Sequence, residues 1–108
     1  MQLQISPQEL AEKLRSPNPP HLLDVRELEE HNFAALPNST LIPLGELASR
    51  ADEIEDWKEE EIIVYCHHGI RSLHAIGQLR HFGFSKLRNL AGGIDRWSTD
   101  VDPKTPRY

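Results

Sequence analysis

The sequence predicts an α/β protein, a small, mostly parallel sheet of about four to five strands flanked by helices on both faces. Three observations carry this reading. Short apolar runs alternate along the chain with stretches of helical period. The clearest run, "EIIVYC" (61–66), is apolar throughout rather than alternating, the habit of a parallel strand covered on both faces. Finally, 108 residues without an internal repeat or low-complexity tract leave room for one core. Residues 1–108 are therefore read as a single domain, with a core to about residue 98 and a tail over 99–108.

The elements follow in order. "SPQEL" opens a helix: Ser6 is a cap, Pro7 suits the first helical position, and Glu9 completes a capping box. Leu10 and Leu14 lie four apart on one face, and "SPNPP" (16–20) ends the element. "HLLDV" (21–25), bounded by turn residues, reads as a buried strand ending near Asp24. "ELEEHNFAAL" (27–36) has a weak helical pattern and stops at "PNS". "TLIPL" (40–44) is a short strand with Pro43 at its end or on a sheet edge. "GELASRADEIEDW" (45–57) reads as helix broken once near Arg50. "GIRSLHAIGQLRHFGF" (69–84) is a helix with Leu73, Ile76, Leu79 and Phe82 at helical spacing and Gly83 as terminator. "KLRNLAGGIDRW" (86–97) supplies a last short strand, a Gly-Gly turn and a short helix, and "STDVDPKTPRY" (98–108) wraps the surface without periodicity.

Composition excludes several roles. No apolar run approaches the roughly 20 residues of a membrane helix, so no membrane association is expected. The N-terminus lacks the basic start and apolar core of a secretory signal. A single cysteine cannot form an internal disulfide, which points to a reducing compartment, the cytoplasm. With 17 acidic against 12 basic side chains, the net charge of −5 argues against nucleic acid as a partner.

The chemistry concentrates in "CHHGIR" (66–71), a turn between strand and helix. In open α/β sheets ligands collect outside the carboxyl ends of strands, and Cys66 sits at such an end. A tight loop entering a helix points successive backbone N–H groups into one concavity, and Gly69 permits the backbone angles this needs. The helix adds the positive end of its dipole and Arg71 adds a full charge. A thiol at the mouth of this cradle is expected to fall from about 8.5 by a unit or more, towards the nucleophilic thiolate. Cysteine is often buried as a small hydrophobe; its place in a Gly-containing turn followed by Arg favours the reactive reading. Cys66, His67, His68 and His74 are close in sequence, but adjacent ligands rarely point at one ion and no metal-type spacing occurs, so no metal or other cofactor is expected. His21, His31 and His81 read as surface or helix-face residues.

At this point a resemblance becomes specific. "LLDVRELEEH" with "LPNSTLIPLGEL", "VYCHHGIRS", "LAGGIDRW" and the ending "VDPKTPRY" resemble, in order and over nearly the whole chain, the motifs of single-domain rhodanese sulfurtransferases. One departure is "HNFAALPNS", where that family usually carries Gly-His-Ile-Pro-Gly. The resemblance implies a rhodanese-like fold and a ping-pong sulfur transfer. Cys66 takes the outer sulfur of a small anionic donor such as thiosulfate, and a thiol or protein acceptor removes it. It further implies that His67, His68, Gly69, Ile70 and Arg71 line the substrate site and that Asp24, Arg26 and Ser72 support the loop. Two other readings share the same residues. Cysteine-dependent phosphatases and arsenate reductases of this fold also pair Cys with Arg, but their loop is one residue longer than the six residues here, which suit a sulfur atom. A non-catalytic rhodanese-like binding module is the other, although such modules lack the cysteine retained here.

Overall fold

The computed structural model describes residues 2–108. Five strands form one sheet in the order β1-β5-β4-β2-β3, every pair parallel. They are β1 (Gln4–Ile5), β2 (His21–Asp24), β3 (Thr40–Leu41), β4 (Ile62–Tyr65) and β5 (Leu87–Leu90). The helices are α1 (Pro7–Leu14), α2 (Leu28–Phe33), α3 (Leu47–Arg50), α4 (Arg71–His81) and α5 (Gly93–Asp100). The "mostly parallel" sheet is thus entirely parallel.

β4 shows why helices are needed on both faces. Its side chains alternate across the sheet, and all four are buried. Ile62 and Val64 join a core with Leu23, Ile76, Leu79 and Phe84, under α3 and α4. Ile63 and Tyr65 join the opposite core with Ile5, Leu10, Ile94 and Trp97, under α1 and α5. Each fully buried aliphatic chain contributes about 1.5–3 kcal/mol, so this central strand is the anchor of both layers.

α1 has the expected capping box: the Glu9 N–H donates to Ser6 Oγ at 3.1 Å, and the Ser6 N–H to Glu9 Oε1 at 3.4 Å. Elsewhere the structure corrects the sequence expectation. β1 was not expected; two residues carry no periodicity, and only pairing with Asn89 and Leu90 makes Gln4–Ile5 a strand. Residues 45–57 are not a helix broken once. A 3-10 turn (Leu44–Glu46), the single turn α3 and a 3-10 stretch (Ala51–Trp57) with non-helical angles at Ile54 follow one another. The bends let Leu47 and Ile54 both reach the core. α5 runs to Asp100, past the residue 98 at which the tail was expected to begin. In the segment where the resembled family's Gly-His-Ile-Pro-Gly is missing, Asn38 takes φ 61°, a left-handed turn that Asn tolerates better than other non-glycine residues.

α4 begins at Arg71 rather than Gly69, and its buried stripe is Ser72, Ala75, Ile76 and Leu79. Leu73, expected inside, is 37% exposed. The phase is set by the turn before the helix, which commits Ser72 inward. Leu79→Ala is therefore expected to cost about 3 kcal/mol in urea unfolding, and Leu73→Ala less than about 1 kcal/mol. The reverse ranking would restore the stripe suggested by spacing.

Candidate functional site

Cys66 follows β4 directly and is 1% exposed, with its sulfur turned back over the start of α4. The Gly69 N–H donates to Sγ at 3.1 Å and the Ser72 N–H at 3.4 Å; Ser72 Oγ lies 3.4 Å away. The N-terminal turn of α4 thus points its unpaired donors at the sulfur. Gly69 makes this possible through φ 105°, which side-chain-bearing residues rarely adopt.

The loop is held from beneath by two elements. Asn89, buried on β5, accepts a short hydrogen bond from Ser72 Oγ and donates through Nδ2 to Gln4 Oε1 (3.0 Å) and Gly69 O (3.4 Å). From the side, the first N–H groups of α5 donate to the loop carbonyls: Ile94 to Cys66 at 2.9 Å and Asp95 to His67 at 3.1 Å. Gly93 allows this approach, since a Cβ there would stand 2.3 Å from His67 O and 2.5 Å from Cys66 O. Ser72 lies between the Cys66 sulfur and Asn89. Asn89 was missed; its signal is a lone amide in the short strand "LRNL".

Asp24 and Arg26, expected to support the loop, make no hydrogen bond to residues 66–72 among the described residues. Both are fully buried. Arg26 donates through Nε and Nη2 to the Asp24 carboxylate (2.9 and 2.7 Å), through Nη2 to Ala34 O (2.6 Å), and through Nη1 to the Tyr108 hydroxyl (2.8 Å). Tyr65 OH donates to Asp24 Oδ2 at 3.2 Å, and burial beside that carboxylate pushes the phenol up to about 12. His31 is more than a surface residue, since its Nδ1 lies 2.8 Å from Asp24 Oδ2.

The pair reaches the loop through intermediaries. The Tyr108 hydroxyl donates to Glu30 Oε1 at 2.8 Å, and the Arg71 guanidinium grips both Glu30 oxygens at 2.8 Å. The Arg71 hydrogen bonds pull the Glu30 carboxyl down to about 2, helped by the Glu27 N–H and Tyr108. Arg71, expected to bind the negative charge of the donor, stands 36% exposed and clasped by a carboxylate. Neither Glu30 nor Tyr108 was singled out, because 41 and 37 residues separate them from Arg71.

His67 is partly buried, stacked between His68 (3.8 Å) and the Tyr108 ring (3.9 Å, 9° between planes). Burial, and then His68, lower its pKa, favouring the neutral imidazole. His68 is exposed and Ile70, at the loop tip, is 66% exposed. Among the described residues, His67, His68 and Asp95 bring ligand atoms within 4.8 Å of one another, a grouping that sequence spacing did not suggest. The Asp95 carboxylate is gripped by Arg107 at 2.9 and 3.2 Å. A cleft of about 400 Å³ between Pro19, Pro37 and Trp57 lies at the start of β2, the other end of the sheet from Cys66.

Comparison with known proteins agrees with the fold. The chain is 36% identical over 97 residues to adenylyltransferase and sulfurtransferase uba4 of Ogataea parapolymorpha, covering 90% of this chain and 25% of that protein. It thus spans about a quarter of that relative's length. A rhodanese-related protein of Thermoplasma volcanium superposes with a TM-score of 0.79 at 30% identity, covering 97% of this chain and 96% of the other. Human single-domain sulfurtransferase TSTD1 superposes with a TM-score of 0.77 at 28% identity, covering 93% and 98%. The model of the rhodanese-like domain matches residues 6–100, and the chain belongs to that family.

Proposed function

We propose that this protein is a sulfurtransferase that carries sulfur as a persulfide on Cys66. The observation that supports it most is the sulfur itself, at a strand end, receiving N–H donors from Gly69 and Ser72 at the start of α4. Donors so placed stabilise a thiolate and equally a persulfide anion, so resting and loaded states share one cradle. The resemblance to sulfurtransferases, by sequence and by fold, points the same way.

In the proposed cycle the Cys66 thiolate attacks the outer sulfur of a donor such as thiosulfate. The new Sγ–S bond forms as the donor's S–S bond breaks, and sulfite leaves with the electron pair. A thiol or a protein acceptor then attacks the outer sulfur and regenerates the thiolate. No general base is required if Cys66 is already ionised, so His67 and His68 are assigned to lining the mouth with Ile70. Arg71 is assigned to the donor's oxygens, for which the guanidinium retains N–H groups not used by Glu30. A lone nucleophilic thiol persists in reducing surroundings, which makes the cytoplasm the proposed location.

Two outcomes test this. Incubation with thiosulfate should add one sulfur atom to the intact mass at Cys66, and cyanide should then release thiocyanate; Cys66→Ala should do neither. Full thiocyanate production by that variant would sink the mechanism. Arg71→Ala should raise the thiosulfate KM by about tenfold or more, the worth of a charge-assisted hydrogen bond, while an uncharged persulfide donor still loads Cys66. Equal losses with both donors would assign Arg71 to loop structure instead.

A further inference from the structure

The only full positive charge contributed by the loop is already answered. Glu30 binds both terminal nitrogens of Arg71 at 2.8 Å. It is held in that position by the Tyr108 hydroxyl at 2.8 Å and by its own bond to the Glu27 N–H at 2.9 Å. The other charges near the mouth are paired as well. Arg26 is buried against Asp24, and Asp95 is gripped by Arg107 with His68 3.9 Å away. Arg26, Arg71 and Arg107 are thus each paired with a carboxylate, and the chain as a whole carries −5.

What the mouth does present is apolar. Among the described residues, three exposed large hydrophobic side chains adjoin the Arg71–Glu30 pair: Ile70 (66%), next to Arg71 in the chain, and Phe33 (55%) and Tyr108 (44%), which meet edge to face at 5.8 Å with the Tyr108 hydroxyl on Glu30. They belong to α2, to the loop before α4 and to the tail. The contacts Arg71–Glu30, Glu30–Tyr108 and Phe33–Tyr108 join these three segments.

We infer that Glu30 is a specificity-determining residue that biases Cys66 against small dianionic donors and towards organic persulfides, whose apolar carrier the exposed side chains of Phe33, Ile70 and Tyr108 accept. This rests on the sulfurtransferase reading and names its donor class. With thiosulfate, a dianion approaches an anionic sulfur past an anionic carboxylate, and the leaving sulfite is again a dianion. An organic persulfide, R–S–SH, brings no more than one charge. The Cys66 thiolate attacks its outer sulfur, the Cys66 Sγ–S bond forms and the R–S bond to that sulfur breaks. The electron pair leaves on R–S, which takes the persulfide proton and departs as a thiol, and Cys66 is left as the persulfide anion. One sulfane sulfur changes hands and no outside oxidant or reductant is consumed.

The test measures Cys66 loading by intact mass with thiosulfate and with benzyl persulfide, in wild type and in Glu30→Gln. Gln keeps the size and the capping acceptor of α2 while removing the charge. The thiosulfate KM should fall about tenfold in the variant, with less than about a twofold change for benzyl persulfide. A rise in the thiosulfate KM would overturn the proposal, since Glu30 would then only orient Arg71. The wild-type protein supplies a second reading that needs no variant. Its thiosulfate KM should stay flat or fall as ionic strength rises, because salt screens repulsion; a steep rise would reveal a free cation and overturn the proposal too. Absence of added sulfur from either donor would remove the sulfurtransferase reading itself, whereas loading with an unchanged donor preference in Glu30→Gln removes only the role of Glu30.

Discussion

Arg26 holds its charge fully out of water, and a guanidinium in that position must have its N–H groups aimed at acceptors. Asp24, two residues back on the same strand end, neutralises the charge but offers only two oxygens. The remaining donors recruit Ala34 O from the end of α2 and the hydroxyl of Tyr108 from the tail. Leaving such a charge with one partner missing costs about 3–5 kcal/mol, so the segments that supply acceptors are drawn against the sheet. Through them the constraint travels outward: α2 carries Glu30, Tyr108 binds Glu30, and Glu30 fixes Arg71 at the first turn of α4.

The reactive loop is over-determined from the other side. Its carbonyls at Cys66 and His67 receive the first N–H groups of α5, and Asn89 and Ser72 pin its floor. Successive strand-to-helix turns, after β4 and after β5, are thereby locked together at the one point where Gly93 lets their backbones meet. The consequence for chemistry is preorganisation. Donors already aimed at the sulfur need not reorient when negative charge is present on it, so in the proposed transfer their electrostatic stabilisation would carry no reorganisation cost.

Charge is divided unequally between backbone and side chains in this site. The sulfur is served by peptide N–H groups and the dipole of an eleven-residue helix, whose N-terminal end is worth about half a unit charge. The formal charge nearby, Arg71, is balanced by a carboxylate whose ionisation persists far below neutral pH. A local anion cradle can therefore exist in an acidic protein without a net basic surface. The apolar side chains around the mouth are consistent with that economy of charge, since they favour contact without drawing dianions in.

Features that depend on neighbours in sequence were legible in advance. The capping box of α1 spans three residues, the apolar run of β4 is continuous, and Cys66, Gly69 and Arg71 lie within one turn, so each could be singled out from local spacing. Asp24 and Arg26 were visible as a pair, but their burial was not, because Ala34 and Tyr108 complete it from eight and 82 residues away. β1 is too short to carry a pattern, the inward phase of α4 is set by the turn that precedes it, and Asn89, Glu30 and Tyr108 reach the site only through folding. The chain by itself determined the fold class and the candidate nucleophile, since periodicity and tight turns are local properties of a polymer. Tertiary structure alone decided which groups surround and balance that nucleophile, because pairing buried charges and donors requires residues that only the closed sheet brings together.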